Sequence, residues 1–153
     1  MVVLTGCVPG THDRNEENSV TLETAKADAQ AMELEIASTI PAGSVVDVVQ
    51  KPKGVLLSCD KTQHSWNGST TVTLSAESDA ELLIRNLETR MTSDERFESR
   101  NWVGPTGAFN VQLMSPTTAA NYIVSAADER TIVINSGSEC FTLPDDVYPG
   151  GTF

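Results

Sequence analysis

Between Leu22 and Ile40 apolar residues return every three or four positions, as Leu22, Ala25, Ala29, Met32, Ile36 and Ile40. That spacing puts them on one face of a helix. Glu23, Asp28, Glu33 and Glu35 fall largely outside the stripe. Thr21 or Ser19 can cap its start, and Pro41-Ala42-Gly43 stops it. A second helix is predicted from Ser78-Asp79-Ala80-Glu81, which fits a capping box. Its stripe is Leu83, Leu87 and Met91, with Ala80 and Ile84 alongside, and it ends in Thr92-Ser93-Asp94.

Elsewhere the period falls to two. Ser44–Gln50 and Val55–Cys59 are rich in β-branched and apolar residues. Lys51-Pro52-Lys53-Gly54 between them reads either as a turn or as an irregularity in one edge strand, where proline is tolerated. Thr70–Ala76 alternates, with Val72, Leu74 and Ala76 on one side and Thr71, Thr73 and Ser75 on the other. Such alternation marks a sheet with one buried and one wet face. Arg96–Val103 and Ala108–Met114 flank Gly104-Pro105-Thr106-Gly107, a hairpin signal. Tyr122–Ala126 and Thr131–Asn135 flank a second, Ala127-Asp128-Glu129-Arg130. Counting Ser44–Cys59 as one interrupted strand, the order is αββαββββ. Strands that follow one another without helices between them predict an α+β fold, with two helices packed on one face of an antiparallel sheet.

At 153 residues one domain is expected. Twenty-one Asp and Glu stand against ten Lys and Arg, a net charge of −11. Nucleic acid is therefore not an expected partner, because phosphate binding needs clustered Lys and Arg. No apolar run approaches the ~18–20 residues of a membrane-spanning helix. The chain divides into residues 1–7, read as the end of a signal peptide; 8–19, a polar tether; 20–143, the domain; and 144–153, an extended tail with two prolines and two glycines nearby.

Leu4-Thr5-Gly6-Cys7 carries the strongest motif and resembles a bacterial lipobox. Small residues precede a cysteine, the order in which a signal peptidase needs small side chains beside its cut and a thiol accepts lipid. Cys7 is the expected lipidation site. Removing it leaves Cys59 and Cys140, an even remainder that in an exported protein suggests one disulfide; two buried thiols are the alternative. Neither cysteine has a second ligand at the usual short spacing, so no metal is expected, and no cofactor motif occurs.

Catalytic signals are sparse. His12 falls in the tether, which leaves His64 as the domain's histidine base. It lies in Cys59-Asp60-Lys61-Thr62-Gln63-His64-Ser65-Trp66, where polar, titratable and aromatic residues cluster. One reading is a site built on Asp60, His64 and Trp66; the other is a loop beside a disulfide, with Trp66 covering the edge of the core. Trp102 and Phe109 flank the Gly-Pro turn; an exposed aromatic there has the chemistry to contact a glycan or a protein, and the alternative is that these residues close the hydrophobic core. Asp60, His64, Trp66 and Trp102 are thus the candidate binding residues.

Together the lipobox, the polar tether and a small acidic α+β domain resemble the small surface lipoproteins of actinobacteria. Cys140-Phe141-Thr142-Leu143-Pro144-Asp145 is similar to the LppA-like group among them. The resemblance implies a lipid anchor in the membrane and a position on the outer side of the cytoplasmic membrane. It brings no catalytic residues. A non-enzymatic envelope module that binds a protein, glycan or lipid partner is the expected function, with a small envelope hydrolase using His64 and Asp60 as the alternative.

Overall fold

The computed structural model describes residues 19–153. The Leu4–Cys7 motif with the expected lipidation site Cys7, and nearly all of the segment read as a tether, lie outside the described residues. Helix α1 spans Leu22–Ser38; the Thr21 side chain caps it by accepting from the Thr24 N–H. A 3-10 turn at Ala42–Ser44 follows the proline and leads into the sheet. The strands are β1 Val45–Gln50, β2 Val55–Ser58, β3 Gln63–Leu74, β4 Glu98–Val103, β5 Phe109–Met114, β6 Asn121–Asp128, β7 Thr131–Gly137 and the short β8 Phe141–Thr142. Helix α2, Ala80–Thr92, lies between β3 and β4. Its cap is Asp79, which accepts from the Leu82 N–H, while the Ser78 hydroxyl is taken by Ser75.

All neighbouring strands are antiparallel, in the order β1-β3-β7-β6-β5-β4. β1 and β2 both pair with β3, opposite Thr70–Leu74 and His64–Asn67 respectively. Lys51–Gly54 is therefore an irregularity in one edge strand and not a hairpin turn. β7 and β8 repeat this arrangement along the other side of β3. With each interrupted pair counted once, the order is αββαββββ, and the disulfide joins Cys59 to Cys140. Both predicted hairpins form.

Strand β3 is longer than its alternation announced. It starts at Gln63, seven residues before the expected Thr70, so the segment read as a loop is half strand. Gly68 hides this, because it interrupts the run of apolar inward positions. An ideal Cβ at Gly68 would stand 2.1 Å from the Trp66 ring, so the indole occupies the space a side chain would need.

The helices share one face of the sheet: α1 packs on β3 and β7, α2 on β5 and β6. The main core joins Ile36, Ile40, Ile84, Leu87 and Met91 from the helices to Val72, Leu74, Val111, Leu113, Val124, Ile132 and Ile134 from the strands. On α2 the stripe is centred on Ala80, Ile84, Leu87 and Met91, with Leu83 at its margin. A second, smaller core lies under the first half of α1, made by Ala25, Ala29, Leu56, Trp66, Phe141 and Leu143. The chain beyond β8 closes it: Phe153 exchanges two backbone hydrogen bonds with Gly54, at 2.8 and 3.0 Å. The tail thus docks in the interruption of the edge strand.

Candidate functional site

The segment after Cys59 is built around one carboxylate. Asp60 Oδ1 accepts from the Thr62 N–H at 2.7 Å, the Gln63 N–H at 2.8 Å and the Thr62 hydroxyl at 3.1 Å. A short acidic side chain that bonds the backbone two residues on is the usual way an aspartate shapes a turn. The backbone bonds from Thr62 and Gln63, with a smaller contribution from nearby His64, hold the Asp60 carboxyl below its ordinary value. No hydrogen bond joins Asp60 to His64 among the described residues. His64 is a strand residue, opposite Ser58 on one side and Phe141 on the other, and its Nδ1 is buried without a partner. Trp66, two residues on, is fully buried. Its Nε1–H donates to the Phe153 carbonyl at 3.2 Å, and Lys26 Nζ stands 5.7 Å from its ring centroid. The indole is thus the centre of the second core, beneath α1 and the tail.

Trp102 is elsewhere. It lies on β4, separated from β3 by three strands, and is 38% exposed. The Arg100 guanidinium sits 5.7 Å from its ring centroid. Phe109, across the same hairpin, is buried beneath Arg85 at 4.0 Å.

Residues paired across strands point to the same face. The helices cover the face bearing Thr70, Ile134, Val124 and Val111; the opposite face carries three parallel rows. The first is Ser69, Asn135, Ile123, Gln112 and Arg100. Beside it run Asn67, Gly137, Asn121, Met114 and Glu98, and on the other side Thr71, Val133, Ser125, Asn110 and Trp102. On β3, β7, β6 and β5 these rows contain no charged residue, in a chain that is 20% charged. Arg100 Nε donates to Gln112 Oε1 at 2.7 Å, and Asn67 donates to Ser65 Oγ at 2.9 Å. Apart from Trp102, sequence reasoning passed over these residues. The signal available to it was the outward half of the strand alternation, which is amide and hydroxyl where a solvated face of so acidic a chain would carry charge.

The interruption in the edge strand opens a depression of about 420 Å³ lined by Lys51, Lys53, Val55, Asn67, Ser69 and Asn135. A groove of about 650 Å³ lies at the start of α2, between Asp79, Gly107 and Arg130. A third, of about 320 Å³, lies between the start of α1 and the tail, against Val20, Leu22, Phe141 and Val147.

Glu33 contradicts its expected place outside the helix stripe. It is fully buried between the two cores. One carboxylate oxygen accepts from Thr70 Oγ1 at 2.6 Å and Gln50 Nε2 at 3.0 Å; the other accepts from the Ser136 hydroxyl. Among the described residues no cation is within salt-bridge distance of it. Nearby, burial first, and then the charges of Asp28, Glu33 and Glu35, push the Tyr122 hydroxyl up to about 12.

No protein-family profile matches the chain. No curated protein matches it. Among solved structures the chain is similar to the candidate lipoprotein LppA from Mycobacterium tuberculosis, at 14% identity over 84% of this chain and 81% of that one, with a TM-score of 0.46.

Proposed function

We propose that this is an exported, lipid-anchored protein of the cell envelope that acts as a non-enzymatic binding module, using the outer face of its sheet. The observation that carries the reading is the composition of that face: along three adjacent rows, four neighbouring strands present amides, hydroxyls and a few aliphatic groups without a charge. Such a surface exchanges hydrogen bonds with a ligand and has no solvated carboxylates to strip of water. Export is supported by the Cys59–Cys140 bridge, since disulfides persist in oxidising compartments. Anchoring rests on Leu4-Thr5-Gly6-Cys7.

The test is made in the native host, with the gene carried together with its upstream sequence. A fatty-acid probe should label the wild-type chain and not Cys7→Ser; equal labelling removes the anchor from the reading. In a deletion strain, Asn135→Arg should fail to restore the wild-type phenotype while the protein stays folded, whereas His64→Ala should restore it. The reverse pattern would replace the binding module with a site centred on His64.

A further inference from the structure

We propose that the outer face of the sheet binds an extended glycan bearing acetamido groups, laid across the strands along the row from Ser69 to Arg100. The inference rests on the reading of that face as the binding surface, and names its ligand class.

Charge selects against the other polymers. Along the three rows a polycation would find no carboxylate on the four inner strands, the nearest being Asp47 and Asp128 one row further on, opposite Thr73 and Thr131. A polyanion would find cations at the two ends of the row, Arg100 on β4 and Lys51 and Lys53 beside the depression. An extended peptide is ordinarily recognised along a strand edge through main-chain hydrogen bonds, not across the middle of a face. What the row offers is side chains repeated at the interstrand spacing of ~4.8 Å, over roughly 20 Å in all. A linear chain of pyranose rings advances by a similar step, so each sugar meets one strand.

The groups suit the same ligand. Asn135 presents a donor and an acceptor side by side, and Gln112, whose oxygen accepts from Arg100 and whose Nε2 donates to Asn121 Oδ1 at 3.4 Å, keeps a second N–H and a second lone pair, which is what hydroxyls and acetamido groups require. Gln112 is already held by Arg100 at 2.7 Å, so its orientation is set before a ligand arrives. Ile123 lies between the two amides in the row, an apolar spot for an acetyl methyl. Beside the β4 end of the row, Trp102 is 38% exposed with the Arg100 guanidinium 5.7 Å from its ring centroid, and the exposed part of the indole is an apolar surface against which the C–H face of a sugar packs. At the other end, the depression of about 420 Å³ between Lys51 and Lys53 receives the last unit.

Titrating the full chain with the hexamer of N-acetylglucosamine, followed calorimetrically, tests this directly, with cellohexaose as the probe lacking acetamido groups. Saturable binding is expected. Asn135→Ala combined with Gln112→Ala should weaken it roughly tenfold or more, as the loss of two hydrogen-bonding side chains implies. Trp102→Ala should weaken it comparably, and Leu82→Ser on the exposed side of α2 should leave it unchanged. Absence of binding at millimolar hexamer, equal affinity for cellohexaose, or undiminished binding by the double variant would each overturn the inference. Failure here, with Asn135→Arg still unable to restore the host phenotype, leaves the binding surface standing with another ligand. If Asn135→Arg restores it fully, the surface itself is refuted.

Discussion

Glu33 lies buried on the inner side of α1, and it is accommodated because β3, β7 and β1 each send it a neutral donor. Burying a carboxylate with no cation is costly, and several hydrogen bonds are needed to offset the lost hydration. Two of its three partners are hydroxyls, which accept as readily as they donate. Glu33→Gln can therefore turn its amide nitrogen toward Ser136 and keep its oxygen for Thr70 and Gln50. It should unfold within ~1 kcal/mol of wild type, the scale of one net hydrogen bond. Glu33→Ala leaves all three donors stranded in a cavity and should cost on the order of 3 kcal/mol or more, given ~1–3 kcal/mol for each buried polar group left unsatisfied. Urea denaturation of the three proteins decides the matter; equal stability of the Ala and Gln variants would mean that the network contributes nothing. The residue was illegible in the sequence for a physical reason. Periodicity assigns a charged side chain to water, and only the tertiary partners, 17 to 103 residues away, reverse that assignment.

At the scale of elements, what the chain wrote locally was readable. The two helices and both hairpins depend on residues within a few positions of one another, and they form where expected, although the cap of α2 is Asp79 and not Ser78, and its buried stripe is centred on Ile84 and not Leu83. The start of β3 was not readable, because Gly68 and the polar run around it gain their meaning from Trp66 and from pairing with β2, β7 and β8. The candidate site divides in the same way. Trp102 was legible as an exposed aromatic beside a turn, but the rows of Asn, Gln and Ser appear only when strands distant in sequence are set in register. The edge strand is a further case. Val46, Val49, Val55 and Leu57 are all more than 45% exposed along β1 and β2, a sheet edge of the kind that recruits other chains. Lys51-Pro52-Lys53 interrupts it with two charges and a residue that lacks an N–H. Replacing these three with Val-Thr-Val should produce a continuous apolar edge. Light scattering should then detect concentration-dependent association that the wild type lacks, and a monodisperse variant would show that the interruption protects nothing.

The whole molecule is two cores of unequal strength beneath one sheet. The larger is closed by both helices, whereas the smaller is assembled from distant parts: the start of α1, Leu56, Trp66, and Phe141 with the chain that follows it. The Cys59–Cys140 bridge fastens the end of β2 to the start of β8, directly beside that smaller core. It closes a loop across 81 residues of sequence. In the chain-entropy model such closure contributes about 4–5 kcal/mol, a large share of the ~5–15 kcal/mol that usually holds a domain together. Cys59 is exposed, so a reductant can reach the bridge. Reduction should therefore lower the unfolding midpoint and loosen the smaller core first. The chain has two tryptophans, so Trp102→Phe leaves Trp66 as the reporter of that core. In this variant, reduction should red-shift the Trp66 emission and speed amide exchange around Phe141 and Gly54, at denaturant concentrations where β5, β6 and the main core are still protected. A single transition at the same midpoint, with and without reductant, would mean that the smaller core is held by packing alone.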